Sequence, residues 1–120
     1  ILFSDMTIIW KEFNEYNIVY ASNGYKIQGS PNTFSNNSAH IYLSFNGNSV
    51  GRVLFSNDST LQKNMLDPPE YVSLRYDLSL FGNVIDILRN EKPLWITLNT
   101  SDWNGSIRTK DKEPVGEAET

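Results

Sequence analysis

The chain reads as an α+β protein: a mainly antiparallel sheet of about six or seven strands, with one principal helix packed on one face. Three observations predict this. Most of the chain is divided into short runs of alternating apolar and polar residues, separated by Asn, Gly, Ser and Pro. Residues 78–90 alone switch to the helical period. That stretch lies between the alternating runs Tyr71–Asp77 and Leu94–Asn99, which predicts a β-α-β crossover near the C-terminus with its two strands parallel.

In chain order, Thr7-Ile-Ile-Trp10 is a short apolar strand, and Lys11–Tyr16 is either its end or a brief helical turn. Asn17–Ala21 and Tyr25–Gln28 flank Asn23-Gly24 as a β-hairpin, because Asn and Gly both accept the positive φ that a type I′ turn demands. Gly29–Ala39 is a polar loop whose one large apolar residue is Phe34. His40–Phe45 alternates, with Ile41, Leu43 and Phe45 against His40, Tyr42 and Ser44. Asn46-Gly-Asn48 turns the chain and Val50–Phe55 returns as a second hairpin arm. Ser56–Glu70 is a second loop, with a candidate helical turn at Leu61–Leu66 and Pro68-Pro69 leading into the next strand.

Val72, Leu74 and Tyr76 share one face of their strand, while Ser73, Arg75 and Asp77 share the other. In the helix, Leu78, Phe81, Val84, Ile85 and Leu88 form one stripe. Asp77 or Ser79 is the expected N-cap, since its oxygen can accept from a free N–H of the first turn. Asn90 is the expected left-handed stop, reinforced by Pro93. Gly82 costs about 1 kcal/mol relative to Ala, so it is read as a point of close packing against the sheet. Leu94–Asn99 is followed by a turn at Asp102–Gly105 and a return strand at Ser106–Thr109. Residues 110–120 form a polar, acidic tail that is expected to be flexible.

The run Asp86-Ile-Leu-Arg-Asn-Glu-Lys-Pro93 ahead of an apolar strand, together with the ending Glu113-Pro-Val-Gly-Glu117, resembles a group of short uncharacterised bacterial proteins. The likeness covers the last third of the chain. It implies a bacterial origin and brings no activity or site residue with it.

At 120 residues the chain suits one domain, 1–120. Six Phe, six Tyr and three Trp are too many for a solvated, unfolded segment. The net charge of −4 gives no drive toward nucleic acid or anionic membranes. The absence of cysteine removes disulfides, thiol nucleophiles and zinc–thiolate sites. No apolar run approaches the roughly 20 residues of a membrane helix. Ile1–Met6 has no basic n-region of a signal peptide, so the expected location is cytoplasmic.

No catalytic residues emerge, and neither a metal nor a cofactor is expected. The phosphate-binding glycine patterns are missing, and the carboxylates follow no calcium-loop pattern. His40, the one histidine, shares its face with Ser44. That pairing supports one reading, a small hydrolase or small-ligand binder with its site near His40 and the 29–39 loop. The more economical reading of His40 is a polar strand residue facing solvent. The aromatic residues carry the leading expectation. Tyr42, Tyr71 and Trp95 point away from the apolar faces of their strands, as do Arg52 and Arg75, and Tyr, Trp and Arg dominate interface hot spots. The expected function is therefore a small, non-enzymatic protein-binding module that uses an aromatic sheet face, as an adaptor or an acidic immunity-type partner. Pairing of two copies through an edge strand is a further expectation.

Overall fold

A computed structural model describes residues 8–20, 39–56, 63–112 and 115. In chain order its strands are β1 (Ile8–Phe13), β2 (Glu15–Tyr20), β3 (Ala39–Phe45), β4 (Asn48–Ser56), β5 (Met65–Asp67), β6 (Tyr71–Asp77), β7 (Leu94–Asn99) and β8 (Gly105–Arg108). A 3₁₀ turn, Leu78–Leu80, runs into helix α1 (Phe81–Asn90) between β6 and β7. The α+β class is as the sequence predicts.

The strands divide into two sheets rather than one, a five-stranded sheet of order β2-β3-β4-β6-β5 and a three-stranded sheet of order β1-β7-β8. The expected β6–β7 parallel pair is therefore not formed. Both hydrogen-bonding edges of β6 are taken, by β4 and β5, so the helix carries the chain out of that sheet into the other. The parallel pair is β4 with β6, running from Gly51 opposite Val72 to Ser56 opposite Asp77. All other pairings among the described residues are antiparallel.

The two sheets bury their apolar faces against each other, as faces of one pleat must when the opposite side meets water. Ile41, Leu43, Val53, Phe55, Val72 and Leu74 come from the larger sheet, and Phe13, Leu94, Ile96 and Leu98 from the smaller. Gly51 marks how closely they approach. A Cβ there would lie 2.6 Å from the Val72 carbonyl oxygen and 3.3 Å from Ile96 Cδ1. Helix α1 contributes the predicted stripe, with Val84 and Leu88 buried and Leu78, Phe81 and Ile85 packed beside them. The Phe81 ring meets Phe55 and Tyr20 edge-on, at centroid distances of 5.1 and 5.2 Å.

Local chemistry accounts for the joints. Asn46 and Gly47 have φ of 50° and 85°, the pair of positive values that a two-residue type I′ turn needs between β3 and β4. The chain crosses from one sheet to the other at Asn14, whose N–H donates to the Ser44 carbonyl at 3.0 Å. The Asn14 side chain is tied to Asn46 from both ends. Lys11–Tyr16 is thus strand on either side of this crossing, not a helical turn. Asp77 is the N-cap, accepting from the Ser79 N–H at 2.9 Å.

Three local expectations are corrected. Asn90 is not left-handed; it stays helical and donates its side-chain amide to the Asp86 carbonyl, and Glu91 leaves in extended conformation. Gly82 has open space where a Cβ would stand, so it is not a packing contact. Met65–Asp67 is a short strand against β6, because its backbone completes that strand's second edge. The Asn23-Gly24 turn, the Tyr25–Gln28 arm, most of the 29–39 loop and residues 61–62 lie outside the described residues. The first arm of that hairpin pairs with β3 over Asn17–Tyr20.

Candidate functional site

The outer face of the five-stranded sheet gathers most of the residues singled out from the sequence. Register sets Tyr42 of β3 opposite Arg52 of β4, and Arg52 opposite Ser73 of β6. The pleat of β6 then puts Tyr71 and Arg75 on the same side as Ser73. His40 lies on that side too, its Nδ1 3.2 Å from the Tyr42 hydroxyl. Tyr42 is exposed, and His40, Arg52, Tyr71 and Arg75 are half-buried.

Arg52 is the electrostatic centre. Its Nε donates to Ser73 Oγ at 3.0 Å, which fixes the guanidinium plane. The Arg75 backbone N–H donates to Asn64 Oδ1 at 2.8 Å, while its side-chain Nε is buried without a partner. Burial and then the Arg52 charge lower the Arg75 pKa. His40 is held below its usual 6.5 by burial, then by Arg52 and Arg75. Burial pushes the Tyr71 phenol upward, against the pull of Arg52. Among the described residues the one ion pair is Lys11 Nζ to Glu70 Oε1 at 2.6 Å, so no described carboxylate is paired with either guanidinium. Two arginines between two tyrosines offer fork-shaped donors for an anionic group, because a guanidinium presents its N–H bonds in a geometry that matches a carboxylate.

Trp95 is not part of this face. Its parity is as read, opposite Leu94, Ile96 and Leu98, but β7 belongs to the other sheet. There it meets Trp10 edge-on, with centroids 6.1 Å apart. Lys110 lies over both rings and Arg108 over that of Trp10. Sequence reading missed this cluster. The outward parity of Trp10 and Trp95 was available; that β1 and β7 are neighbours was not.

His40 and Ser44 are not brought together. Ser44 Oγ donates to Glu15 Oε1 at 3.0 Å, and Glu15 also accepts from the Gly47 N–H, so this serine belongs to a turn network. Tyr42 stands between it and His40 on the strand. The arrangement supplies no nucleophile and base in contact. A groove of about 690 Å³ opens elsewhere, between the β1–β2 junction and the C-terminal end of α1, lined by Phe13, Tyr16, Leu88 and Pro93 among others. It contains none of the site residues proposed from the sequence.

Among the described residues no cluster of His, Asp and Glu is arranged to hold a metal ion. No described helix is long and apolar enough to cross a membrane. Compared with known proteins, the chain matches no family model, no curated protein and no solved structure.

Proposed function

We propose that this chain is a non-enzymatic protein-binding module whose recognition surface is the outer face of the five-stranded sheet. Tyr42, Tyr71, Arg52 and Arg75 are its anchors, and an acidic segment of another protein is its partner. The observation that carries this reading is a pair of guanidinium groups with no carboxylate partner among the described residues, in a chain of net charge −4. A folded acidic protein normally has carboxylates to spare for its arginines, so two without a described carboxylate partner favour an anion supplied from outside. The flanking tyrosines bring large contact area at small entropic cost. Photo-crosslinking from position 42 in cells of the source organism tests it. The expected result is a discrete partner, acidic at the crosslinked segment, that disappears when Arg52 and Arg75 are replaced by Glu. Identical crosslinks from the charge-reversed protein would sink the reading.

A second association is favoured by β2. Among the described residues it is an edge strand, all six of its residues are exposed, and Tyr16, Ile18, Val19 and Tyr20 are among them. An edge that bears apolar side chains and no lysine or proline lacks the usual guards against strand pairing. Pairing of two copies along β2 predicts a concentration-dependent mass, abolished by Val19→Lys. A monomer at every concentration would exclude it.

A further inference from the structure

We propose that Trp10 and Trp95 form a binding site for a quaternary ammonium group, and that Lys110 of the chain itself fills this site in the free protein. The two indoles stand on the outer face of the three-stranded sheet, with planes at 76° and centroids 6.1 Å apart. They form an open corner. The Lys110 ammonium sits in it, 4.7 Å from the Trp95 centroid and 5.4 Å from that of Trp10. Both rings thus present their electron-rich faces to one cation, the arrangement by which aromatic residues recognise ammonium groups.

The fold does not require these rings for its core. Neither belongs to the buried cluster or to the residues packed against it. The Trp95 indole N–H is buried without an acceptor, so packing rather than a hydrogen bond holds that ring. Glu12 is directly opposite Trp95 in the β1–β7 register, and among the described residues it forms no ion pair. Directly opposed Cβ atoms lie about 5 Å apart, so a carboxylate flanks the aromatic corner and adds its attraction for a cation.

Lys110 is a weak occupant. It lies beyond the end of β8, is exposed, and makes no hydrogen bond or ion pair among the described residues. A primary ammonium is strongly hydrated and carries three N–H donors. Pressed against indole faces, it exchanges part of that hydration for contacts that satisfy none of them. A quaternary ammonium has no N–H to satisfy, so it surrenders less on entering. The Arg108 guanidinium already lies 5.1 Å from the Trp10 centroid, so the corner has no room for an added positive charge. An entering cation must replace Lys110, and the chain regulates its own site by competition.

The test is a tryptophan-fluorescence titration of the full chain with tetramethylammonium, choline and a blocked trimethyllysine, with potassium chloride as the ionic-strength control. Trp103, in the turn before β8, serves as the internal background. The expected result is a saturable change that potassium does not reproduce, lost in Trp10→Ala. In Lys110→Ala affinity should rise about fivefold, because one competing cation–π contact is gone. Trimethyllysine binding more tightly than choline would assign the ligand to a modified peptide; equal binding would assign it to a free small cation. Either order supports the site. Lys110 is exposed, so its variant is expected to fold, which circular dichroism verifies. A folded Lys110→Ala protein that gives no saturable response, or binds no more tightly than the parent, overturns the proposal.

Discussion

Arg52 donates its Nε hydrogen to the Ser73 hydroxyl across 3.0 Å, and Ser73, directly opposite it on β6, is fully buried. The bond satisfies a buried hydroxyl and at the same time directs the remaining guanidinium N–H groups outward.

Removing that acceptor leaves Arg52 Nε partly buried with nothing to donate to. Ser73→Ala is expected to lower stability by about 1 kcal/mol, read from urea unfolding. In a cycle with Arg52→Met, the double variant should lose less than the sum of the single losses. Strict additivity would mean that the two residues are not coupled.

The neighbouring charges also set the titration of His40. Its folded pKa lies below 6.5, first because of burial and then because of Arg52 and Arg75. The unfolded chain therefore takes up this proton at higher pH than the folded chain does. The contribution to stability is complete above about pH 6.5 and declines as pH falls toward the folded value. NMR titration of the His40 ring should give a pKa below 6.5, and one closer to 6.5 in Arg52→Met. Identical values in the two proteins would remove Arg52 as a cause.

Two glycines give opposite outcomes for the same substitution. At Gly51 a new Cβ would stand 2.6 Å from the Val72 carbonyl oxygen, a backbone atom held in the β4–β6 ladder. Gly51→Ala is expected to destabilise by roughly 1–3 kcal/mol through overpacking. At Gly82, near the start of α1, nothing beyond its chain neighbours and the helix's own backbone lies within 4 Å of the added carbon. Gly82→Ala should stabilise by about 0.5–1 kcal/mol, through helix propensity and a less flexible unfolded chain. Thermal unfolding of the two variants side by side decides the signs.

The Asp77 carboxyl is held below its usual 3.8 by its hydrogen bonds from the Ser79 hydroxyl and N–H. A depressed carboxylate contributes its stability above the unfolded pKa and loses it as pH falls through the folded value. Asp77→Ala should therefore lower Tm at neutral pH, and the difference should shrink in acid. A Tm difference of the same size at pH 7 and below the folded value would contradict the charged-cap account.

Much of this molecule was legible from short windows. The 78–90 helix, its Asp77 cap, the Asn46-Gly47 turn and the inward faces of β3, β6 and β7 all follow from side-chain period or from the φ that particular residues accept. The same is true of four members of the candidate face: Tyr42, Arg52, Tyr71 and Arg75 each stand opposite a core-facing neighbour. The misreadings have a common source. Asn90 and Gly82 have residue types that suit a left-handed stop and a close packing contact, but the Asn90 side chain bonds back to the Asp86 carbonyl and the space beside Gly82 is open. His40 and Ser44 share a face, yet Ser44 is claimed by Glu15 from a strand that sequence did not place beside it.

The sequence by itself determined which residues of the regular elements face inward and where the helix lies, because periodicity, turn conformation and residue chemistry are local. Only the tertiary structure decided which strands are neighbours. Backbone hydrogen bonds are the same for every strand, so nothing in an alternating run names its partner; the packing of distant apolar faces does. That choice sent β7 to the second sheet, left Tyr42 and the two arginines on one surface, and carried Trp95 to another, where it meets Trp10 and the ammonium of Lys110.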